Sequence, residues 1–483
     1  MLNQFHKGRG SNMNFFDLLV ISINSILLGR FLFFSKSRNR LNIFLLICAG
    51  MITGLHMLIE GYRWQILPAY LLLLLPCIQF LFFWKNNIST SWLARIVKGF
   101  LYILWLYVVF ELPIIAPMFS FPEPSGPYKI GTTSLHLVDK NRLDEYTKDL
   151  DDHRELMIQI WYPAEVNKNE LTAPYTAHSK ELAAGLQTAL PLPQFALQHL
   201  NKIQTHSYQD AQLVKNESGW PVLLFSHGMN LYRYQNTFQV EELVSHGYIV
   251  VGIDHTYDAA ATVFPDGRTV LNSPQLDDGM PALDKHIAVW TDDVTFVLDQ
   301  LEKFNQTKNE ELYHSMDMRK IGMFGHSYGG ATAMQMLLRD DRVKASINMD
   351  GGLFGDDAPK QGVGKPFLMM NADEMEKYMT EAKNSEKNDL ATTLFKEFDR
   401  RQALALKGGG YSLTIPNTSH ASFTDTSLFL KLLQSKGEDP QYVHQIINEV
   451  SLEFFNQYVK DDAAASMKKI ADRYPKIQLT KNK

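Results

Sequence analysis

The segment Gly325-His326-Ser327-Tyr328-Gly329 is where this chain concentrates residue types capable of covalent chemistry. It is a G-x-S-x-G pattern that follows the run Lys320–Phe324 and opens the helical pattern Ala331–Leu338. A serine on a sharp strand-to-helix turn, a nucleophile elbow, has its hydroxyl held clear of the backbone, where it can attack a carbonyl carbon. Gly325 and Gly329 have no side chains, so strand and helix can approach closely enough to make that turn. The hydroxyl is a poor nucleophile until a base removes its proton, and the base must be oriented by an acid. The implied chemistry is acyl transfer through Ser327.

In sheets that carry such an elbow, the partners follow in the order serine, acid, histidine. His420, in Asn417-Thr418-Ser419-His420-Ala421, follows the last expected strand and is the well-placed base. His246, His286 and His314 precede the serine, His444 falls on a C-terminal helix, and His326 points away from its neighbour's hydroxyl. Two acids compete. Asp350 ends the run Val343–Met349 and precedes Gly351-Gly352, whereas Asp373 ends the run Pro366–Ala372. Both strand ends reach the same sheet edge; the general hydrolase layout favours Asp373, and the residues alone leave both open. The tetrahedral intermediate needs two N–H donors aimed at its oxygen. Tyr328 N–H, directly after the serine, is one. Met229 N–H is the other, from the loop Ser226-His227-Gly228-Met229-Asn230, where Gly228 permits a close turn.

Positioning these groups requires a sheet. Strand-like runs recur at Tyr128–Val138, Leu156–Tyr162, Val222–Phe225, Tyr248–Ile253, Lys320–Phe324, Val343–Met349, Pro366–Met370 and Tyr411–Ile415. Helical patterns occupy Thr237–Ser245, Leu283–Phe304, Tyr328–Leu338, Ser385–Ala405, Thr426–Gln434 and Gln441–Val459. Short apolar strands alternating with amphipathic helices predict an α/β domain with a mostly parallel sheet covered on both faces, which together with the serine elbow resembles an α/β-hydrolase fold. The first two strands, with no helix between them, predict an antiparallel edge. Residues 170–218 form an insertion whose apolar stretch Leu182–Leu200 fits a lid, a membrane-contacting helix or ordinary packing.

The first 120 residues have a different composition. They carry 10 Lys/Arg and 3 Asp/Glu, a net +7, while residues 121–483 carry 37 basic and 49 acidic residues, a net −12. Apolar runs at Phe15–Phe34, Leu41–Ile59, Ile66–Trp84 and Gly99–Phe119 are each about the length that crosses ~30 Å of hydrocarbon as a helix. Four transmembrane helices are therefore expected over 1–120, followed after the Pro/Gly stretch Phe121–Tyr128 by one catalytic domain over 121–483. Basic residues cluster in the first link (Lys36, Arg38, Arg40) and the third (Lys85, Arg95, Lys98), against Arg63 alone in the second. The excess of positive charge on the cytoplasmic side then puts the C-terminal domain outside the cytoplasm; Lys7 and Arg9 argue the other way. The overall net charge of −5 speaks against a nucleic-acid partner. Cys48 and Cys77, both in the apolar part, leave no disulfide scaffold or cysteine metal site downstream.

Residues 121–460 resemble the plasma-type (isoform II) platelet-activating factor acetylhydrolases. The segments that carry the resemblance are 124–131 (PSGPYKIG), 158–164 (IQIWYPA), 223–235 (LLFSHGMNLYRYQ), 325–333 (GHSYGGATA), 347–352 (INMDGG) and 419–425 (SHASFTD). The resemblance implies a serine ester hydrolase acting on short or oxidised acyl esters of phospholipids. It implies Ser327 as nucleophile, His420 as base and Asp350, on the strand after the elbow, as the acid. It calls for no metal or organic cofactor. The partners it implies are a lipid or small ester substrate and membrane lipids. The four N-terminal spans depart from the secreted members.

Overall fold

The computed structural model describes residues 13, 15–33, 40–82, 91–149, 151–167, 170–190, 192–273, 279–308, 312–387, 389–429 and 431–482. They form two compact units, one of residues up to Phe119 with Leu428–Leu432, the other of Ser120–Ser427 with Leu433 onward.

The first unit contains α1 (Phe15–Phe33), α2 (Arg40–Ile59), α3 (Leu67–Phe82) and α4 (Trp92–Ile115). Helices α1, α2 and α4 are long and apolar enough to cross a membrane. Over the third run, α3 has 16 described residues with Pro76 inside it, preceded by a tight turn at Trp64–Ile66, and residues 83 and 84 of that run lie outside the described residues. Lys7, Arg9, Lys36, Arg38 and Lys85, on which the expected orientation rests, lie outside the described residues. Polar groups tie α1, α2 and α3 together. Asp17 is buried and accepts hydrogen bonds from His56 Nε2 at 2.8 Å and Arg63 Nη1 at 2.9 Å. The Tyr70 hydroxyl donates to His56 Nδ1 at 3.0 Å, and Asn24 Nδ2 donates to Thr53 Oγ1 at 3.2 Å and to the Ala69 carbonyl at 3.1 Å. Side-chain hydrogen bonds of this kind fix the register of one helix against another.

The second unit is built on a sheet. Its strands are β1 (Lys129–Leu143), β2 (His153–Glu165), β3 (Thr172–Pro174), β4 (Gln204–Gln209), β5 (Gln212–Leu213), β6 (Trp220–Ser226), β7 (Ile249–Asp254), β8 (Ala261–Val263), β9 (Thr269–Leu271), β10 (Met316–His326), β11 (Val343–Met349), β12 (Phe367–Ala372), β13 (Tyr411–Ile415) and β14 (Gln478–Lys481). The order across the sheet is β14-β13-β12-β11-β10-β6-β7-β2-β1-β4-β3, with β5 on β2; β8 and β9 form a separate hairpin. From β13 through β7 the strands are parallel, and β2 and β1 add antiparallel, as the helix-free start of the domain predicts.

Helices α5 (Ser179–Gly185), α6 (Thr237–Ser245), α7 (Met280–Gln306), α8 (Tyr328–Arg339), α9 (Asp373–Lys383), α10 (Leu390–Ala405), α11 (Thr426–Phe429), α12 (Pro440–Tyr458) and α13 (Met467–Arg473) complete it. Alternation along the strands divides the core. Val222 and Leu224 of β6 and Ile321 and Met323 of β10 pack in one cluster with Val294, Val297 and Leu301 of α7 and Ala333 and Met336 of α8. Their neighbours point the other way: Phe225 lies 5.0 Å from Phe324, which lies 6.0 Å from Phe455 of α12, ring centre to ring centre. One open alternative is resolved and two helix bounds change. Of the alternatives for Leu182–Leu200, the structure has ordinary packing: α5 ends at Gly185, tight turns follow at Gln194–Ala196 and Gln198–Lys202, and Leu182, Leu186, Leu197 and Leu200 are buried. The run Ser385–Ala405 begins its helix at Leu390, capped by Asp389 accepting from Thr392 N–H. Thr426–Gln434 divides into α11 and a turn at Lys431–Leu433.

Candidate active site

Ser327 joins β10 to α8 with φ 55° and ψ −121°, in the left-handed region that a residue with a side chain rarely adopts. Strain of this kind persists only where the surroundings impose it. The Ser327 N–H donates to the Met349 carbonyl at 2.9 Å, pinning the turn to the end of β11. A β-carbon at Gly325 would lie 2.2 Å from the Gly329 carbonyl oxygen, and one at Gly329 would lie 2.1 Å from the Ser226 carbonyl oxygen. Both positions therefore need glycine for close approach. The Ser327 hydroxyl makes no hydrogen bond among the described residues, and nucleophile–base contacts are often long before substrate binds.

Asp350 and His420 meet 70 residues apart in sequence, with His420 Nδ1–H donating to Asp350 Oδ2 at 2.7 Å. The other carboxylate oxygen of Asp350 accepts the Ala372 N–H at 2.7 Å, so the buried carboxylate is fixed on both sides. His420 remains half exposed, with its Nε2 edge available. His326, read from the sequence only as pointing away, has a partner of its own: its Nε2–H donates to the His420 carbonyl at 3.0 Å. Burial, reinforced by the nearby His420, holds the His326 pKa well below the usual imidazole value, so the ring stays neutral. Asp373 does not touch His420. Its carboxylate accepts from Lys377 Nζ at 2.8 Å and from Asn417 N–H at 3.3 Å, which makes it a first-turn residue of α9. Of the two acids, geometry pairs Asp350 with His420.

Among the described residues, the Met229 and Tyr328 amides stand without a backbone acceptor. In the loop after β6, Gly228 N–H donates to Gln235 Oε1 at 2.8 Å, Asn230 N–H to the Asp258 carbonyl at 2.8 Å and Leu231 N–H to the Gly228 carbonyl at 2.9 Å. Met229 N–H has no acceptor among the described residues, nor has Tyr328 N–H at the start of α8. An open pair of donors beside a strained serine is what an oxyanion requires. The side chains of Met229 and Tyr328 pack with Leu283, Ile287, Trp290 and Phe354 in an apolar cluster. Gln235, Asp258 and His326 are the contributors that sequence reasoning missed. Gln235 and His326 sit inside segments already singled out, but no spacing rule assigns them partners.

The structure thus brings Ser327, the buried Asp350 and the half-exposed His420 to the C-terminal edge of the parallel strands. A solved ferulic acid esterase from Streptomyces cinnamoneus is similar to this chain, with a TM-score of 0.60, 26% identity, and 75% of this chain and 99% of that chain covered. The class is thus an α/β ester hydrolase. A probable 1-alkyl-2-acetylglycerophosphocholine esterase of Arthroderma benhamiae is 28% identical over 380 residues, covering 72% of this chain and 88% of its own. A platelet-activating factor acetylhydrolase of Cavia porcellus is 23% identical over 371 residues, covering 70% and 78%. The sequence model of the platelet-activating factor acetylhydrolase, isoform II, family matches residues 114–273 and 291–471, and the chain belongs to that family.

Proposed function

We propose that the chain is a membrane-anchored serine ester hydrolase that cleaves short or oxidised acyl esters of phospholipids, with Ser327 as nucleophile, His420 as base and Asp350 as orienting acid. The observation that carries this reading is the 2.7 Å bond from His420 Nδ1 to Asp350 beside a serine held at φ 55°. His420 Nε2 takes the Ser327 proton as the hydroxyl attacks the ester carbonyl, and Asp350 stabilises the imidazolium that forms. Met229 N–H and Tyr328 N–H hold the oxyanion; each such donor is worth about 10²–10³ in turnover. His420 then protonates the leaving alcohol, and water, deprotonated by the same ring, frees the acyl group from Ser327.

Residues 1–120 form the membrane region in this reading and 121–483 the catalytic domain, on the extracytoplasmic side of the cell membrane. Support comes from three helices of spanning length and from the charge contrast between the two parts. The phospholipid preference draws on the relatives' names. A second reading, a general short-chain carboxylesterase, is favoured by the likeness to the ferulic acid esterase. Turnover of a chain-length ester series against short-acyl phospholipids separates the two. The catalytic assignment is tested with Ser327→Ala, which should remain folded, lose fluorophosphonate labelling and fall to a few per cent of activity or less. Retained activity overturns it.

A further inference from the structure

A second serine–histidine–aspartate chain lies beneath the first. The Ser226 hydroxyl donates to His255 Nε2 at 2.9 Å, and His255 Nδ1–H donates to Asp293 Oδ2 at 3.0 Å. Asp293 also accepts from Arg154 Nη2 at 2.8 Å and Nε at 3.1 Å and is paired with Arg142. Ser226, His255 and Asp293 are each 0% exposed, so no substrate reaches this serine. With Nδ1–H committed to the carboxylate, Nε2 is left as an acceptor, and burial holds His255 below the usual imidazole pKa against the pull of Asp293.

What this chain grips is the base of the Met229 loop. Ser226 is the last residue of β6, and its carbonyl lies where a side chain on Gly329 of α8 would have to go. The His255 N–H donates to His227 Nε2 at 3.2 Å, and His227 Nδ1–H donates to the Gly228 carbonyl at 2.7 Å. Trp290 stacks on His255 at 3.9 Å and meets Tyr328 edge-on at 4.9 Å. One imidazole thus sits behind both segments that carry the open N–H groups.

We infer that His255, anchored by Asp293, is a positioning residue for the oxyanion hole, setting the Met229 N–H against the Tyr328 N–H through Ser226 and His227. The inference rests on the proposed role of Ser327. Hydrogen-bond donors act on an oxyanion only when aimed within a few tenths of an ångström, so slackening the loop weakens transition-state binding and leaves ground-state binding in place. The test is Ser226→Ala in the full chain, with kcat and KM measured on a short-chain ester and Ki on a trifluoromethyl ketone, which forms an oxyanion on the serine. Kcat should fall about 10- to 100-fold. KM should stay within about threefold, and Ki should rise by the factor lost from kcat/KM. The pH profile set by His420 should not move. Ser226→Cys, with a weak donor of similar size, should fall between the two and serves if the alanine variant does not fold. A folded variant with kcat and Ki within about twofold of wild type overturns the inference while fluorophosphonate still labels Ser327. Absence of that label in the wild-type chain overturns the Ser327 assignment itself, and the inference with it.

Discussion

Asp350 and Asp373 stand at the ends of neighbouring strands, and their partners alone separate them. Replacing Asp350 by asparagine keeps the acceptor for Ala372 N–H but turns an N–H toward His420 Nδ1, which must then accept. The proton moves to Nε2, and the ring can no longer take one from Ser327. Asp350→Asn should therefore lower turnover at saturating substrate by about 10⁴ at neutral pH with the fold retained. Asp373→Asn removes a partly exposed ion pair with Lys377, worth about 1 kcal/mol or less, and should leave turnover within a few-fold. A dead Asp373 variant beside an active Asp350 variant would reverse the assignment.

Element α12 carries a buried histidine with a measurable consequence. His444 stacks flat on Phe238 at 3.7 Å, its Nε2–H donates to the Thr424 carbonyl at 3.2 Å, and burial pulls its pKa down to about 3. The unfolded chain binds a proton at this ring below about 6.5. The folded chain does so only near its lower value, so the stability this group contributes is complete above about 6.5 and is lost as the pH falls toward the folded pKa. The slope is about 1.4 kcal/mol per pH unit for one proton. His444→Gln should flatten the pH dependence of urea unfolding by that amount over that window; parallel profiles would refute it. His227, lowered to about 3 by burial and by the nearby His255, adds the same sign in both proteins and cancels in the comparison. Much of this architecture was readable beforehand: Val343–Met349, Tyr411–Ile415 and Thr237–Ser245 occupy the expected bounds because apolar runs end there in polar or turn residues. Helix α9 escaped notice because Asp-Glu-Met-Glu-Lys-Tyr-Met-Thr-Glu-Ala-Lys buries only Met379 and Ala382, leaving too little apolar pattern. The Ser226–His255–Asp293 chain was equally hidden. Its members lie 29 and 38 residues apart, and only strand order brings them together.

On the scale of the whole molecule, the proposed sidedness rests on the Lys and Arg residues of the links among residues 1–120. With the basic first and third links retained in the cytoplasm, a reporter that works only outside it, fused after Lys483, should be active, and a cytoplasmic reporter silent. The opposite pattern would mean that Lys7 and Arg9 govern the orientation. Neither outcome bears on the chemistry of Ser327, which depends on residues of the second unit alone.

The ion pair at Asp17 joins groups that are far apart in the chain. His56 and Arg63, its partners, lie 39 and 46 residues further along the chain. A nascent chain threading into a bilayer from its N-terminus would present α1 with a carboxylate before either partner has been made. Insertion scales give about 2.5–3.5 kcal/mol for a charge at the centre of a spanning helix, and Asp17, in the first turn of α1, lies where that cost is smaller. If the membrane-anchored reading holds, the seating of α1 depends on groups supplied from further along the chain, and Asp17→Asn should loosen its attachment to α2.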